Sequence, residues 1–118
     1  MNKIENIRHS LAHLLAAAVL EKFPDAKLGI GPTIENGFYY DFLLEEKLTL
    51  DDLKLFENKM RSYVKERLAF SGKEITPSEA KKLFKNQPFK LELVEEFSKN
   101  DEQLTIYKTG DVFMDLCR

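Results

Sequence analysis

The sequence predicts a single α+β domain over residues 1–118, in which a mostly antiparallel sheet packs with amphipathic helices. Three observations carry that prediction. Apolar residues recur at helical spacing in residues 5–23 and 50–68, while residues 27–42 and 103–117 alternate like strands around turn residues. No internal repeat, low-complexity tract or Gly/Ser/Pro-rich linker marks a boundary. With 118 residues, 43% of them apolar, the chain is long enough for one compact domain with a real core and too short for two domains.

The first helix runs from about Glu5 to Phe23 and is closed by Pro24, which disfavours helical geometry in the residue before it. "KLGIGPTIENGFYYDF" (27–42) reads as two strands around a turn at Glu35-Asn36-Gly37, where Asn-Gly tolerates positive φ. In residues 50–68, Leu53, Phe56, Met60, Val64 and Leu68 share one face, with Thr49 as cap and Asp51 and Asp52 at the favourable end of the helix dipole. "TPSE" (76–79) is a capping box with proline at the first helical position, and the helix it opens should end near Asn86. Residues 87–98 carry both periods. Phe89, Leu91 and Leu93 alternate, whereas Leu91, Val94 and Phe97 form a helical stripe, and the reading leans to helix. "QLTIYKTGDVFMDLC" (103–117) reads as two strands around Thr109-Gly110-Asp111.

Composition excludes some roles. A net charge of −2 carries no global nucleic-acid signature, so any RNA contact must be local. No apolar run approaches membrane-spanning length and no signal-peptide layout is present. One cysteine rules out an internal disulfide framework and suits a reducing, cytoplasmic setting.

"RHSLAHLLAAAVL" (8–20) places two imidazoles in an almost wholly apolar helix. Ile7, Leu11, Leu14, Leu15 and Ala18 fall on one face; His9 and His13 fall on the other, among Ala12, Ala16, Ala17 and Leu20. Such a helix needs cover on both sides, and two imidazoles above small residues suit a pocket wall that holds a metal or shares acid–base work. The metalloprotease arrangement is excluded, because Ser10 stands where it requires glutamate.

In the last strand, Val112, Met114 and Leu116 face one way and Phe113, Asp115 and Cys117 the other, which suggests a second pocket wall. Pattern alone favours aromatic cross-strand packing for Tyr39 and Tyr40. "GIGP" (29–32) lacks the spacing of a phosphate loop. Lys81, Lys82, Lys85 and Lys90 make a modest basic patch, by default a solvated helix face.

"RHSLAHLLAAAV", "GIGPTIENGFYYDF", "PSEAKKLFK" and "IYKTGDVFMDLCR" together resemble the editing domain of bacterial-type threonyl-tRNA synthetases, which is related to that of alanyl-tRNA synthetases. The resemblance covers essentially the whole chain, in order and with matching spacing. It implies a pocket in which His9 and His13 match an H-x-x-x-H pair, Cys117 the cysteine of a C-x-x-x-H segment, Asp115 a pocket aspartate, Lys90 a rim lysine and Tyr40 a tyrosine beside the substrate. It further implies hydrolysis, in cis, of seryl-tRNA mischarged on the threonine tRNA, through a water placed by histidine and lysine. The implied partners are the serine-bearing 3′ end of that tRNA and the remaining synthetase domains.

The family continues Gly-Pro-His where this chain stops at Arg118, and it adds a small N-terminal domain as well as catalytic and anticodon-binding domains. The chain is therefore expected to be an excised piece, weakly active by itself. The parent would use ATP and zinc in its catalytic domain to ligate threonine to tRNA. Editing is expected to need no cofactor, although His9, His13 and Cys117 could ligate zinc, and folding is expected to need no metal. Two alternatives remain open: a freestanding deacylase acting in trans, and a non-catalytic module that binds metal or a tRNA end.

Overall fold

The computed structural model describes residues 3–117, Cys117 by its backbone alone. The elements run α1 (Lys3–Lys22), β1 (Lys27–Leu28), β2 (Thr33–Ile34), β3 (Gly37–Phe38), β4 (Phe42–Leu43), α2 (Leu50–Glu66), β5 (Phe70–Ile75), α3 (Pro77–Leu83), α4 (Pro88–Lys99), β6 (Leu104–Thr109) and β7 (Phe113–Cys117). Four helices and small antiparallel sheets make an α+β domain.

The central sheet has the order β5-β6-β7, antiparallel throughout. Its pleat separates two cores. Ile75, Leu104, Ile106 and Leu116 pack with Ala80, Phe84, Val94 and Phe97 of α3 and α4. The opposite face turns Phe70, Tyr107 and Phe113 toward the histidines of α1. The result is three layers, with α1 on one side of the sheet and the α3–α4 pair on the other. The turn between β6 and β7 falls at Thr109-Gly110-Asp111 as expected. There Gly110 adopts φ 51°, which only glycine takes cheaply, and its N–H donates to the Ala69 carbonyl at 2.8 Å.

Residues 27–43 form one arm rather than a plain hairpin. β1 pairs with β4 (Leu28↔Phe42) and β2 pairs with β3 (Thr33↔Phe38), so the four residues 29–32 oppose the three residues 39–41. The extra residue is a bulge, and it sits where Pro32 has no N–H to give the ladder. The tip also departs from expectation: Ile34 pairs with Gly37 across Glu35-Asn36, and neither Asn36 nor Gly37 takes positive φ.

β5 is a strand the sequence reading did not anticipate. It is an edge strand whose Ser71, Gly72, Lys73 and Glu74 are all exposed, so it shows no apolar alternation. Helix α2 is rotated from its expected face. Phe56 is buried and Met60 and Leu68 are partly so, but Leu53 and Val64 are exposed, while Asp52 and Tyr63 are buried instead. Both have polar partners on α1: Asp52 pairs with Lys22, and the Tyr63 hydroxyl donates to Glu21 at 2.7 Å.

Helix starts follow local chemistry. Thr49 with Asp52 and Thr76 with Glu79 form complete capping boxes, and α3 ends at Leu83, slightly before the expected Asn86. Residues 88–99 are helical, which resolves the mixed period in favour of the Leu91/Val94/Phe97 stripe. Thr76→Ala should lower stability by about 1 kcal/mol, because Glu79 N–H then loses its acceptor. Urea titration of the two proteins checks this; coincident midpoints would contradict it.

Candidate functional site

Asp115 lies at the centre of a buried polar network. Residue 115 belongs to the face of β7 that meets α1, so an ionisable group there must be answered within the protein. The Lys90 ammonium, on the first turn of α4, sits 2.6 Å from Oδ1, with both side chains almost wholly buried. The Leu116 N–H also donates to Oδ1, at 2.8 Å. The Tyr40 hydroxyl donates to Oδ2 at 2.5 Å, and the His13 Nε2 lies 3.7 Å from the same oxygen. Four elements thus converge on one carboxylate: α1, the arm, α4 and β7.

The bulge in the arm places Tyr40. Its ring stacks on Phe42 and lies 5.5 Å from the Lys90 ammonium. The aromatic packing runs along the chain rather than across strands, since Phe42 lies two residues on, and the Tyr40 hydroxyl joins the carboxylate network. Gly31 makes room for it, since a Cβ there would overlap the Tyr40 ring. Lys90 is not part of a surface patch with Lys81, Lys82 and Lys85; it is 1% exposed. Tyr39 is exposed and takes no part in the network.

The two histidines have different surroundings. Their rings meet edge to face at 4.5 Å. His13 is 1% exposed and enclosed by Phe70, Tyr107 and Phe113. It therefore lies behind the cavity, a correction to the expectation that both imidazoles face it. His9 lines an open cavity of about 520 Å³, together with Gly31, Thr33, Lys90, Tyr107 and Asp115. Phe70 and Tyr107 stack at 5.3 Å, and both touch His9 edge-on. The sequence reading missed this pair. Tyr107 was within reach, because the hairpin register sets it opposite Asp115; Phe70 was not, because β5 carried no signal.

Cys117 pairs with Thr105 at the end of β7, and its side chain lies outside the described residues. Among the described residues no three His, Cys, Asp or Glu side chains converge as a metal set, and His13 directs Nε2 toward Asp115. No helix among the described residues is long and apolar enough to cross a membrane.

Burial lowers the pKa of both imidazoles, His13 to about 4, against the opposing pull of the Asp115 carboxylate. Both are neutral at pH 7, so each keeps a lone pair and adds no charge beside the Lys90–Asp115 pair.

Threonine–tRNA ligase of Dehalococcoides mccartyi is 51% identical over 118 residues, covering all of this chain and 20% of the relative. That of Thermotoga petrophila is 52% identical over 117 residues, covering 97% of this chain and 18% of the relative. That of Borrelia duttonii is 50% identical over 111 residues, covering 94% of this chain and 19% of the relative. The homologues of this chain are threonine–tRNA ligases. The chain spans about a fifth of the length of the ligases it matches, and no family model matches it. The carboxylate network joins all three layers of this chain's fold.

Two predictions follow from these environments. The unfolded chain binds protons on histidine below about pH 6.5, whereas folded His13 refuses them until about pH 4. Stability is therefore fully present above pH 6.5 and falls as the pH drops toward 4, by about 3 kcal/mol for this group. Chemical denaturation between pH 7 and 4, compared with His13→Leu, checks it; identical slopes would contradict it. Lys90→Met should destabilise by about 3–5 kcal/mol, because Asp115 stays buried without its cation. Adding Asp115→Leu should recover part of the loss, and a thermal melt of the three proteins reads both effects.

Proposed function

We propose that this region is the editing site of a threonine–tRNA ligase, hydrolysing the ester of seryl-tRNA(Thr) within the same polypeptide. The observation that carries the reading is the shared cavity. A neutral imidazole, His9, and an ammonium held by a buried carboxylate, Lys90 on Asp115, line the same open space. Ester hydrolysis requires a base at neutral pH and a positive group near the developing oxyanion.

In this reading His9 accepts a proton from water as the oxygen attacks the seryl carbonyl carbon. The carbonyl oxygen gains charge facing the Lys90 ammonium. The bond from carbon to the ribose oxygen then breaks, and His9 returns the proton to that oxygen. Free serine and the tRNA 3′-hydroxyl result, with no other reactant. Asp115 is a positioning residue that fixes Lys90 and Tyr40, while His13 packs against His9 and sets its orientation.

The parent's need for such a site is physical. Serine differs from threonine by one methyl group, which supports only about 1–3 kcal/mol of discrimination in a binding pocket. A second pocket that admits the seryl ester and excludes the threonyl ester supplies the remainder. The parent would ligate threonine to tRNA(Thr), and the occupant of this cavity would be the serine-bearing 3′ end.

The test is deacylation of seryl- and threonyl-tRNA(Thr) by the full-length ligase and its His9→Ala variant. Seryl-ester hydrolysis should fall on the order of 10²–10⁴-fold, with threonine ligation unchanged and the threonyl ester a poor substrate throughout. Undiminished seryl-ester hydrolysis by the variant would overturn the assignment.

A further inference from the structure

The face opposite the histidines on α1, together with the outer face of α2, is apolar and open. Two grooves run side by side over it, about 550 and 690 Å³ in volume, and share Leu11 and Val64 in their walls. Ile7, Leu53 and Val64 are each at least half exposed there. A contiguous apolar surface of this kind on a soluble domain marks a place where something binds.

The rim is mainly basic. Lys3, Lys65 and Arg67 edge the grooves, and no carboxylate among the described residues lies within ion-pair distance of them. Glu57 also borders the second groove, but its carboxylate is engaged by Arg61 at 3.4 Å. At the floor of the first groove, Thr109 is 3% exposed, and its hydroxyl has no hydrogen-bond partner among the described residues. An apolar floor, a basic rim and an unanswered hydroxyl describe the complement of one kind of surface.

We propose that this face seats an amphipathic helix with acidic margins, supplied by the ligase polypeptide outside these 118 residues. The homologues are about five times longer than this chain, so such a partner can be tethered rather than free. A second copy of the chain fits poorly, because a two-fold interface would set Lys3, Lys65 and Arg67 against themselves. RNA would satisfy the rim and leave the leucine floor uncovered.

The experiment uses the full-length ligase carrying Leu53→Cys or Val64→Cys, with Lys99→Cys on exposed α4 as reference. Maleimide labelling is read by peptide mass spectrometry, which separates each site from Cys117. Labelling at 53 and 64 should be at least about tenfold slower than at 99, as expected of a surface that must open to react. Adding Lys65→Glu and Arg67→Glu should return it to the reference rate. Equal labelling at all three sites overturns the proposal, as does protection indifferent to charge reversal. Protection lost on dilution identifies a second copy instead, and protection that needs added tRNA identifies RNA; either outcome overturns it. Hydrogen exchange of the α2 amides, with and without the charge reversals, supplies the same comparison without cysteine.

Discussion

Burying an ammonium and a carboxylate together costs several kcal/mol of lost hydration per ion, and the pair holds only where the remaining valences are met. Asp115 meets that condition with unusual completeness for a side chain 2% exposed. One oxygen takes Lys90 and the Leu116 N–H; the other takes the Tyr40 hydroxyl and faces His13. Each donor belongs to a different part of the chain. The carboxylate therefore acts as a register pin: α4, the arm, α1 and β7 can satisfy it together in only one relative placement. A shift of β7 by one residue would send Asp115 to the side of Ile106 and Leu104 and bring an apolar side chain to Lys90.

Burial also explains why two such similar histidines differ in their access to the cavity. His13 is sealed by three aromatic rings, and burial lowers its pKa to about 4. His9 sits one turn nearer the opening and borders the cavity. The spacing that looked like a symmetrical pair thus produces one sealed imidazole and one that borders the cavity. Burial is the main obstacle to charging His13, and repulsion from His9 and the Lys90 ammonium adds to it.

Legibility in the sequence followed the range of the interaction responsible. Capping at Thr49 and Thr76 is local chemistry and was readable to the residue. Asp115 was readable from alternation, as an acid on a strand between Met114 and Leu116. Lys90 was not readable from pattern, because a lysine near other lysines looks solvated until its carboxylate, 25 positions later, is brought to it. The rotation of α2 had the same cause: Asp52 and Tyr63 turn inward for partners on α1 that no window of α2 contains. β5 was invisible because an edge strand owes its pairing to a neighbour's backbone rather than to its own side chains.

A cavity keeps its shape only where its wall does not yield. Lys90 and Asp115 in the cavity wall, and Tyr40 bonded to Asp115, resist displacement, since moving any of the three leaves a buried charge or hydroxyl unanswered. Gly31 tightens it further: the backbone there lies against the Tyr40 ring, so the ring cannot retreat toward the arm. The same ion pair that fixes the fold thereby stiffens the cavity, and the cost of burying it serves both ends.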